Sequence, residues 1–130
     1  MSDVPANLKY TKDHEWADVR GAEVTVGITR FAVEQLGDIT LVNLDVKVGD
    51  TVTEGKAFGT IESVKTLSDL YAPVSGTVVR INSELEAQPE LVNEDCYERG
   101  WMVTIAADAM AAVAALMDAP AYQDFLKATQ

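Results

Sequence analysis

The chain has 130 residues, enough for one compact domain with a hydrophobic core but short for two. Its 21 acidic and 10 basic side chains give a net charge of −11, which argues against binding to nucleic acids or to anionic membranes, because both need a basic surface. One cysteine, Cys96, and one histidine, His14, rule out an internal disulfide and give little support to a zinc site or a Cys-His nucleophile. No apolar run predicts a transmembrane helix, and the N-terminus resembles no signal or transit peptide, so we expect a cytoplasmic protein.

The N-terminal third predicts short β-strands followed by one helix. Residues 8–10 alternate as in a short edge strand. His14 falls in a turn, and the β-branched runs on either side of Gly21 predict a hairpin. Thr29 can then cap a short helix that ends at Gly37, because a threonine hydroxyl accepts a bond from the first turn and glycine readily ends a helix.

From Asp38 onward, apolar and polar residues alternate with a period of two, which is typical of half-buried strands. Strands are expected at residues 39–44, 57–62, 77–81 and 101–105. Residues 82–100 are polar and are expected to form a loop. We therefore expect a mainly β body over about residues 8–105, with one short internal helix, in a single domain spanning residues 1–130.

The C-terminal segment has a helical pattern instead. Asp108 can cap a first helix, and Tyr122, Phe125 and Leu126 fall on one face of a second. The two helices together are expected to cover about residues 108–128. Their apolar face is expected to pack on the β body rather than to form a groove for a partner.

The most conspicuous position is Lys65, where two alternating runs meet between the branched neighbours Val64 and Thr66. A solvated lysine in a turn is the commonest situation for this residue type. A catalytic lysine would need an apolar pocket or a cationic neighbour, whereas the nearby charges are the acidic Glu62 and Asp69, and the chain has no Gly-rich nucleotide loop. A third alternative is an attachment point, since a flexible stem on a rigid hairpin can carry an acyl group without any acid, base or metal of the chain's own. The absence of other chemistry favours this third alternative.

Several short motifs occur in order along the chain: Lys9-Tyr10, His14-Glu15-Trp16, Val26-Gly27-Ile28-Thr29, Leu36-Gly37-Asp38, Glu62-Ser63-Val64-Lys65, Ser68-Asp69, Tyr71-Ala72-Pro73-Val74-Ser75-Gly76, Leu91-Val92-Asn93 and Gly100-Trp101. Together they resemble the H proteins of the glycine cleavage system. The resemblance extends from about Val4 to the region of Tyr122, which is nearly the whole chain. Any one of the motifs alone would be weak, and their common order makes the resemblance specific.

This resemblance implies a barrel-sandwich hybrid of the biotinyl and lipoyl carrier type, with lipoate amide-linked to Lys65. It implies a non-catalytic, monomeric carrier that takes the aminomethyl group of glycine from glycine decarboxylase (P protein) to an aminomethyltransferase (T protein). Electrons would then pass to dihydrolipoyl dehydrogenase (L protein), and a lipoyl transferase or ligase would attach the lipoate. In such a system the protein supplies positioning, while the cofactor supplies the chemistry.

The resemblance also implies roles for residues around the lysine. Glu62 and Gly76, on either side of Lys65, are expected to contribute to recognition by the attaching enzyme. Glu15 and Asp69 match acidic positions near the place where the family's loaded arm rests, and could hold a cationic amine. Surface solvation is the alternative for these two carboxylates. Phe31 stands where the family often has a histidine, in the region that lines the same cleft.

Three other hypotheses remain beside the lipoyl carrier. A biotinyl domain shares the hairpin design, but its lysine usually lies between two methionines, whereas Val64 and Thr66 flank Lys65 here. A binding or structural β-domain would leave Lys65 unmodified. An H-like protein that passes lipoyl groups to other proteins would carry the same motifs.

Overall fold

Two antiparallel sheets make up most of the computed structural model, which describes residues 4–129. In the described chain the strands are β1 (Lys9–Tyr10), β2 (Glu15–Arg20), β3 (Glu23–Ile28), β4 (Ile39–Leu44), β5 (Thr51–Val52), β6 (Ala57–Ser63), β7 (Leu67–Tyr71), β8 (Gly76–Ile81) and β9 (Val103–Ala107). One sheet has six strands in the order β1-β2-β3-β9-β8-β5, and the other has three in the order β4-β6-β7. The ends of the predicted domain, residues 1–3 and 130, lie outside the described residues.

The two sheets share one hydrophobic core of branched aliphatic side chains. The alternation in sequence produces it, because every second residue of a strand points to the same face. Val26 of β3 and Ile105 of β9 come from the larger sheet, and Ile61 of β6 and Leu70 of β7 come from the smaller; each is at most 1% exposed. This arrangement is the barrel-sandwich hybrid that the sequence predicts.

Helix α1 (Arg30–Leu36) has the bounds and both ends that the sequence predicts. The Thr29 hydroxyl accepts a hydrogen bond from the Ala32 N–H at 3.3 Å, which satisfies one of the free donors of the first turn. Gly37 follows with φ of +79°, a conformation that favours glycine, and its N–H donates to Val33 O. The helix therefore ends two residues before the chain enters the smaller sheet at Ile39.

The loop predicted over residues 82–100 is wrong in part. It contains two single-turn helices, α2 (Glu84–Ala87) and α3 (Leu91–Glu94), with Leu85 and Leu91 buried. Helices of four residues are too short to produce a 3.6-residue period in the sequence. Packing of their few apolar side chains on the β body stabilises them instead.

The C-terminal segment forms the two expected helices, with one correction. Helix α4 is only Met110–Ala114, and its N-cap residue is Ala109 rather than the predicted Asp108. Helix α5 (Ala119–Thr129) buries Tyr122 and Leu126 in a second apolar cluster that also contains Tyr10 of β1. The predicted packing of this face on the β body is therefore confirmed. No helix within residues 4–129 is long and apolar enough to cross a membrane.

Candidate functional site

Lys65 lies at the tip of the β6–β7 hairpin and is exposed to solvent. Ser63 shapes the tip, because its N–H donates to Thr66 O at 2.8 Å and its hydroxyl oxygen accepts from the N–H groups of Lys65 and Thr66, each at 3.2 Å. The side chains of Val64 and Leu67 beside it are 68% and 61% exposed. The lysine is thus presented on a defined turn with apolar neighbours that face solvent.

The stem of Lys65 crosses the glycine that ends α1. A Cβ placed on Gly37 would lie 3.4 Å from Lys65 Cε and 3.8 Å from its Cδ. The next residue fixes the turn in place, since Asp38 O accepts a hydrogen bond from the Val64 N–H at 3.0 Å. The ion pairs of the described chain are Arg20–Asp18 and Arg80–Glu23, so neither engages the Lys65 ammonium.

Asn93 of α3 holds the segment under the lysine. Its side-chain amide donates to Gly37 O at 2.9 Å, and its side-chain oxygen accepts from the Ile39 N–H at 2.8 Å. Its own backbone carbonyl accepts from Arg30 Nη1 at 3.0 Å, which ties α3 to the start of α1. A single asparagine therefore fixes both backbone groups that flank Asp38, the residue to which the lysine turn is bonded.

A cavity of about 280 Å³ lies between α1, the turn before β2, and β7. Strand β7 runs away from the lysine turn, and at about 3.3 Å per residue Asp69 lies roughly 13 Å along the chain from Lys65. Lys65 is not itself in the cavity wall, so only a group that lengthens its side chain would bring it there. The wall is formed by Asp13, His14, Glu15, Ile28, Phe31, Ala32, Gln35, Leu36, Ile61, Ser68, Asp69 and Leu70.

Glu15 is the one carboxylate of this wall that is removed from water, at 2% exposure. Its two oxygens accept hydrogen bonds from the Tyr71 N–H at 3.0 Å and from the Thr11 hydroxyl at 3.1 Å. Neither ion pair of residues 4–129 includes it. Burial therefore raises the pKa of Glu15 to about 8, although the hydrogen bond from Tyr71 opposes the shift.

Such a carboxyl group is suited to a cationic ligand. An arriving ammonium would supply the missing counter-charge and favour the ionised form. Asp69 also lines the cavity but is exposed, and its carboxylate accepts a long hydrogen bond of 3.4 Å from the Tyr71 hydroxyl. The structure thus brings Glu15 and Asp69 to one cavity, and only Glu15 is buried there.

The other two predicted site residues lie outside this cavity wall. Glu62 is half-buried on β6, opposite Leu41 and Leu67 and three residues before the lysine. Gly76 is buried on β8 in the larger sheet, where a Cβ would overlap the backbone carbonyl of Ala106. The geometry gives Gly76 a packing requirement, and its predicted part in recognition stays a prediction.

Cavity size does not identify the site. A larger cavity, of about 460 Å³, is lined by residues such as Thr25, Arg80 and Trp101, and neither Glu15 nor Asp69 is in its wall. Among the described residues, no group of three or more His, Cys, Asp and Glu side chains is placed to hold a metal ion. The buried carboxyl beside the lysine hairpin is the more informative feature.

Two residues of the site carried no signal that sequence reasoning used. The sequence marks Gly37 as the end of a helix and places both residues in short motifs, but it assigns neither a contact with the lysine turn. Asn93 is 56 residues away from Gly37 along the chain, so no local pattern links them.

Comparisons with known proteins agree with this geometry. The model of the family described as glycine cleavage H-protein matches residues 8–129. A glycine cleavage system H protein of Myxococcus xanthus is 51% identical over 124 residues, which are 95% of each chain. One from Anaeromyxobacter sp. (strain K) is 48% identical over 125 residues, covering 96% of this chain and 97% of that one. The crystal structure of a glycine cleavage system H protein from Mycobacterium marinum superposes with a TM-score of 0.83 at 39% identity, covering 97% of this chain and 98% of that one.

We predict that Glu15→Gln reduces the pH dependence of stability. The pKa of Glu15 is raised from 4.5 to about 8 on folding, so the folded state holds a proton that the unfolded state releases between these values. Stability is therefore lost as pH rises through that window. Between pH 6 and pH 9 the wild type should lose about 2–3 kcal/mol more than the variant in urea unfolding. Equal losses in the two proteins would show that Glu15 is ionised in the folded state at pH 6.

We predict that Asn93→Ala loosens the lysine turn. Losing both side-chain hydrogen bonds should lower the free energy of unfolding by about 1–3 kcal/mol. Hydrogen exchange at the Val64 N–H should increase by more than this loss of global stability explains. Asn82→Ala is the control, because the Asn82 side chain also bonds to backbone groups, donating to the carbonyls of Arg99 and Trp101. Asn82 is buried, whereas Asn93 is half-buried. Loss of the Asn82 side chain should lower global stability without selective exchange at Val64. Identical exchange in the two variants would contradict the assignment of Asn93.

Proposed function

The chain belongs to the glycine cleavage H-protein family, and we propose that it is a lipoyl carrier whose attachment point is Lys65. The observation that carries this proposal is the position of Lys65. It lies exposed at the tip of a hairpin, outside both ion pairs of the described chain, and strand β7 of the same hairpin forms part of the wall of a cavity with a buried carboxyl group. A carrier needs a long tether, a fixed base for it and a place where its loaded end can rest. The exposed lysine, the hairpin and the cavity correspond to these three needs.

The residues present fit a lipoyl group. Amide formation needs a free, accessible amine, and Lys65 is exposed on a turn that an attaching enzyme can enclose. The stem lies against Gly37, where a Cβ would make an ordinary contact with Lys65 Cε at 3.4 Å, and the requirement for glycine comes from its φ of +79°. The exposed Val64 and Leu67 offer an apolar surface to the attaching enzyme, a lipoyl transferase or ligase.

The proposed role is transport between three enzymes. The lipoyl group, when bound, supplies the sulfur chemistry that accepts the aminomethyl group of glycine and later gives up electrons. Under this proposal, Lys65 delivers it to glycine decarboxylase, then to an aminomethyltransferase, and finally to dihydrolipoyl dehydrogenase. The chain's own residues bind and position the arm and are not proposed to catalyse these reactions.

We propose that the loaded arm rests in the cavity between α1 and β7. Glu15 and Asp69 would hold its cationic amine, with Glu15 releasing its proton to solvent as the already protonated amine arrives. Phe31 and Leu36 supply apolar wall beside the carboxylates. A charged amine held against a buried carboxylate, away from bulk water, interacts more strongly than at the surface. The phenyl ring of Phe31 contributes no polar contact, so the charges that recognise the amine would come from Glu15 and Asp69.

The first test is attachment itself. Expression in a lipoylating host should raise the intact mass by one lipoyl group, and Lys65→Arg should abolish the increase, because arginine cannot form the amide. Lys56→Arg is the control, since Lys56 lies in another exposed turn and should leave the modification complete. An unmodified wild type in such a host would refute the carrier proposal.

The second test is transport chemistry. Lipoylated protein, but not unmodified protein, should support exchange of bicarbonate with the carboxyl group of glycine in the presence of glycine decarboxylase. The reason is that only the lipoyl arm can accept the aminomethyl group that the exchange requires. Equal exchange rates for the two forms would count against a role in glycine cleavage while leaving the attachment at Lys65 intact.

A further inference from the structure

The hydroxyl of Tyr122, on helix α5, reaches the wall of the cavity from the far end of the chain. It lies 2.8 Å from His14 Nδ1 and 2.8 Å from the hydroxyl oxygen of Thr29. His14 is part of the cavity wall, and Thr29 is the N-cap of α1, the helix that contributes Phe31, among others, to the same wall. Tyr122 and Thr29 are both fully buried, so water does not substitute for these bonds.

His14 needs this support because its backbone is in an unfavourable conformation. Its φ is +66°, and among the described residues no other non-glycine residue has a positive φ. Its ring packs against Phe31 of α1 and Phe125 of α5, with centroid distances of 4.7 Å and 5.8 Å. Burial lowers the pKa of His14, which is consistent with a neutral ring bonded to the tyrosine hydroxyl.

Helix α5 is itself anchored to the β body through Tyr10. The rings of Tyr10 and Tyr122 stack at 4.6 Å with an interplanar angle of 7°. Just before α5, the backbone groups of Met117 exchange two hydrogen bonds with those of Tyr10, at 2.8 Å and 2.9 Å. The position of the Tyr122 hydroxyl is therefore set by the edge strand of the larger sheet.

We propose that Tyr122 is a positioning residue that holds the two sides of the arm's resting cavity at a fixed spacing, so that the C-terminal helix controls docking of the loaded arm. This inference rests on the proposed function, because it requires that the arm docks in this cavity. One hydroxyl joins His14 on one side to the N-terminal end of α1 on the other. The His14 ring also packs against Phe31 of α1, and the Thr29 N–H donates to His14 O at 2.9 Å. The Tyr122 hydroxyl adds to these contacts the one bond that joins the His14 ring to the N-cap side chain.

The stacked pair provides a matched experiment. Tyr122→Phe and Tyr10→Phe each remove one hydroxyl from the same pair of rings, but the Tyr10 hydroxyl donates to Pro5 O and is not in the cavity wall. Both variants and the wild type are prepared in lipoylated form, with complete attachment verified by intact mass. Each is loaded with glycine and glycine decarboxylase, and docking is followed by NMR through the amide signals of Ser68 and Asp69 and the ring of His14, the chain's one histidine.

The expected result is that loading shifts these signals equally in wild type and Tyr10→Phe. In Tyr122→Phe the ratio of docked to free arm should fall about fivefold, which corresponds to the loss of one hydrogen bond. A full shift in Tyr122→Phe would overturn the inference. No shift in the wild type would instead refute the resting place proposed above, so the two failures are distinguishable.

A second variant decides the matter if Tyr122→Phe does not fold. His14→Asn keeps a residue that tolerates positive φ but removes the ring that the tyrosine hydroxyl holds. It should reduce docking at least as much as Tyr122→Phe, with Ser68 and Asp69 as reporters. Undiminished docking in His14→Asn would also overturn the inference.

Discussion

The hydrogen bond from the Val64 N–H to Asp38 O is the contact on which the arrangement of the site depends. It joins the tip of the β6–β7 hairpin to the end of α1, so the lysine and the cavity beside it are parts of one rigid unit. Asn93 fixes the backbone on both sides of Asp38, and the lysine stem lies against Gly37. A carrier whose arm must visit several proteins benefits from a base that does not move, because ordering a flexible base at each encounter would cost binding free energy.

The buried carboxyl of Glu15 is the second constraint. Removing a carboxylate from water is unfavourable unless it is paired, and Glu15 has hydrogen bonds from Thr11 and Tyr71 without either of the described ion pairs. The folded protein therefore keeps it protonated near neutral pH, consistent with a pKa raised to about 8. A buried carboxyl group of this kind lowers the stability of the fold at high pH, and it can bind a cation; such perturbed groups are often found at functional sites.

Local patterns predicted the fold well. Alternation located the strands, and the Thr29 cap with the Gly37 stop defined α1, because each of these signals depends on residues within a few positions of one another. The same reasoning failed for α2 and α3, whose single turns are stabilised by burial of Leu85 and Leu91. It also assigned the cap of α4 to Asp108, one residue before the observed cap, where a short helix leaves its ends poorly defined by sequence.

The sequence by itself determined that Lys65 stands on a hairpin turn and that the chain resembles a lipoyl carrier. Only the tertiary structure decided that Glu15 is buried without a counter-charge while Asp69 is exposed, and that Tyr122 bonds to His14 across 108 residues. The physical reason is the range of the interactions. Strand alternation and helix caps arise between near neighbours and leave a pattern in the sequence, whereas burial and long-range hydrogen bonds exist only after the sheets and helices have packed together.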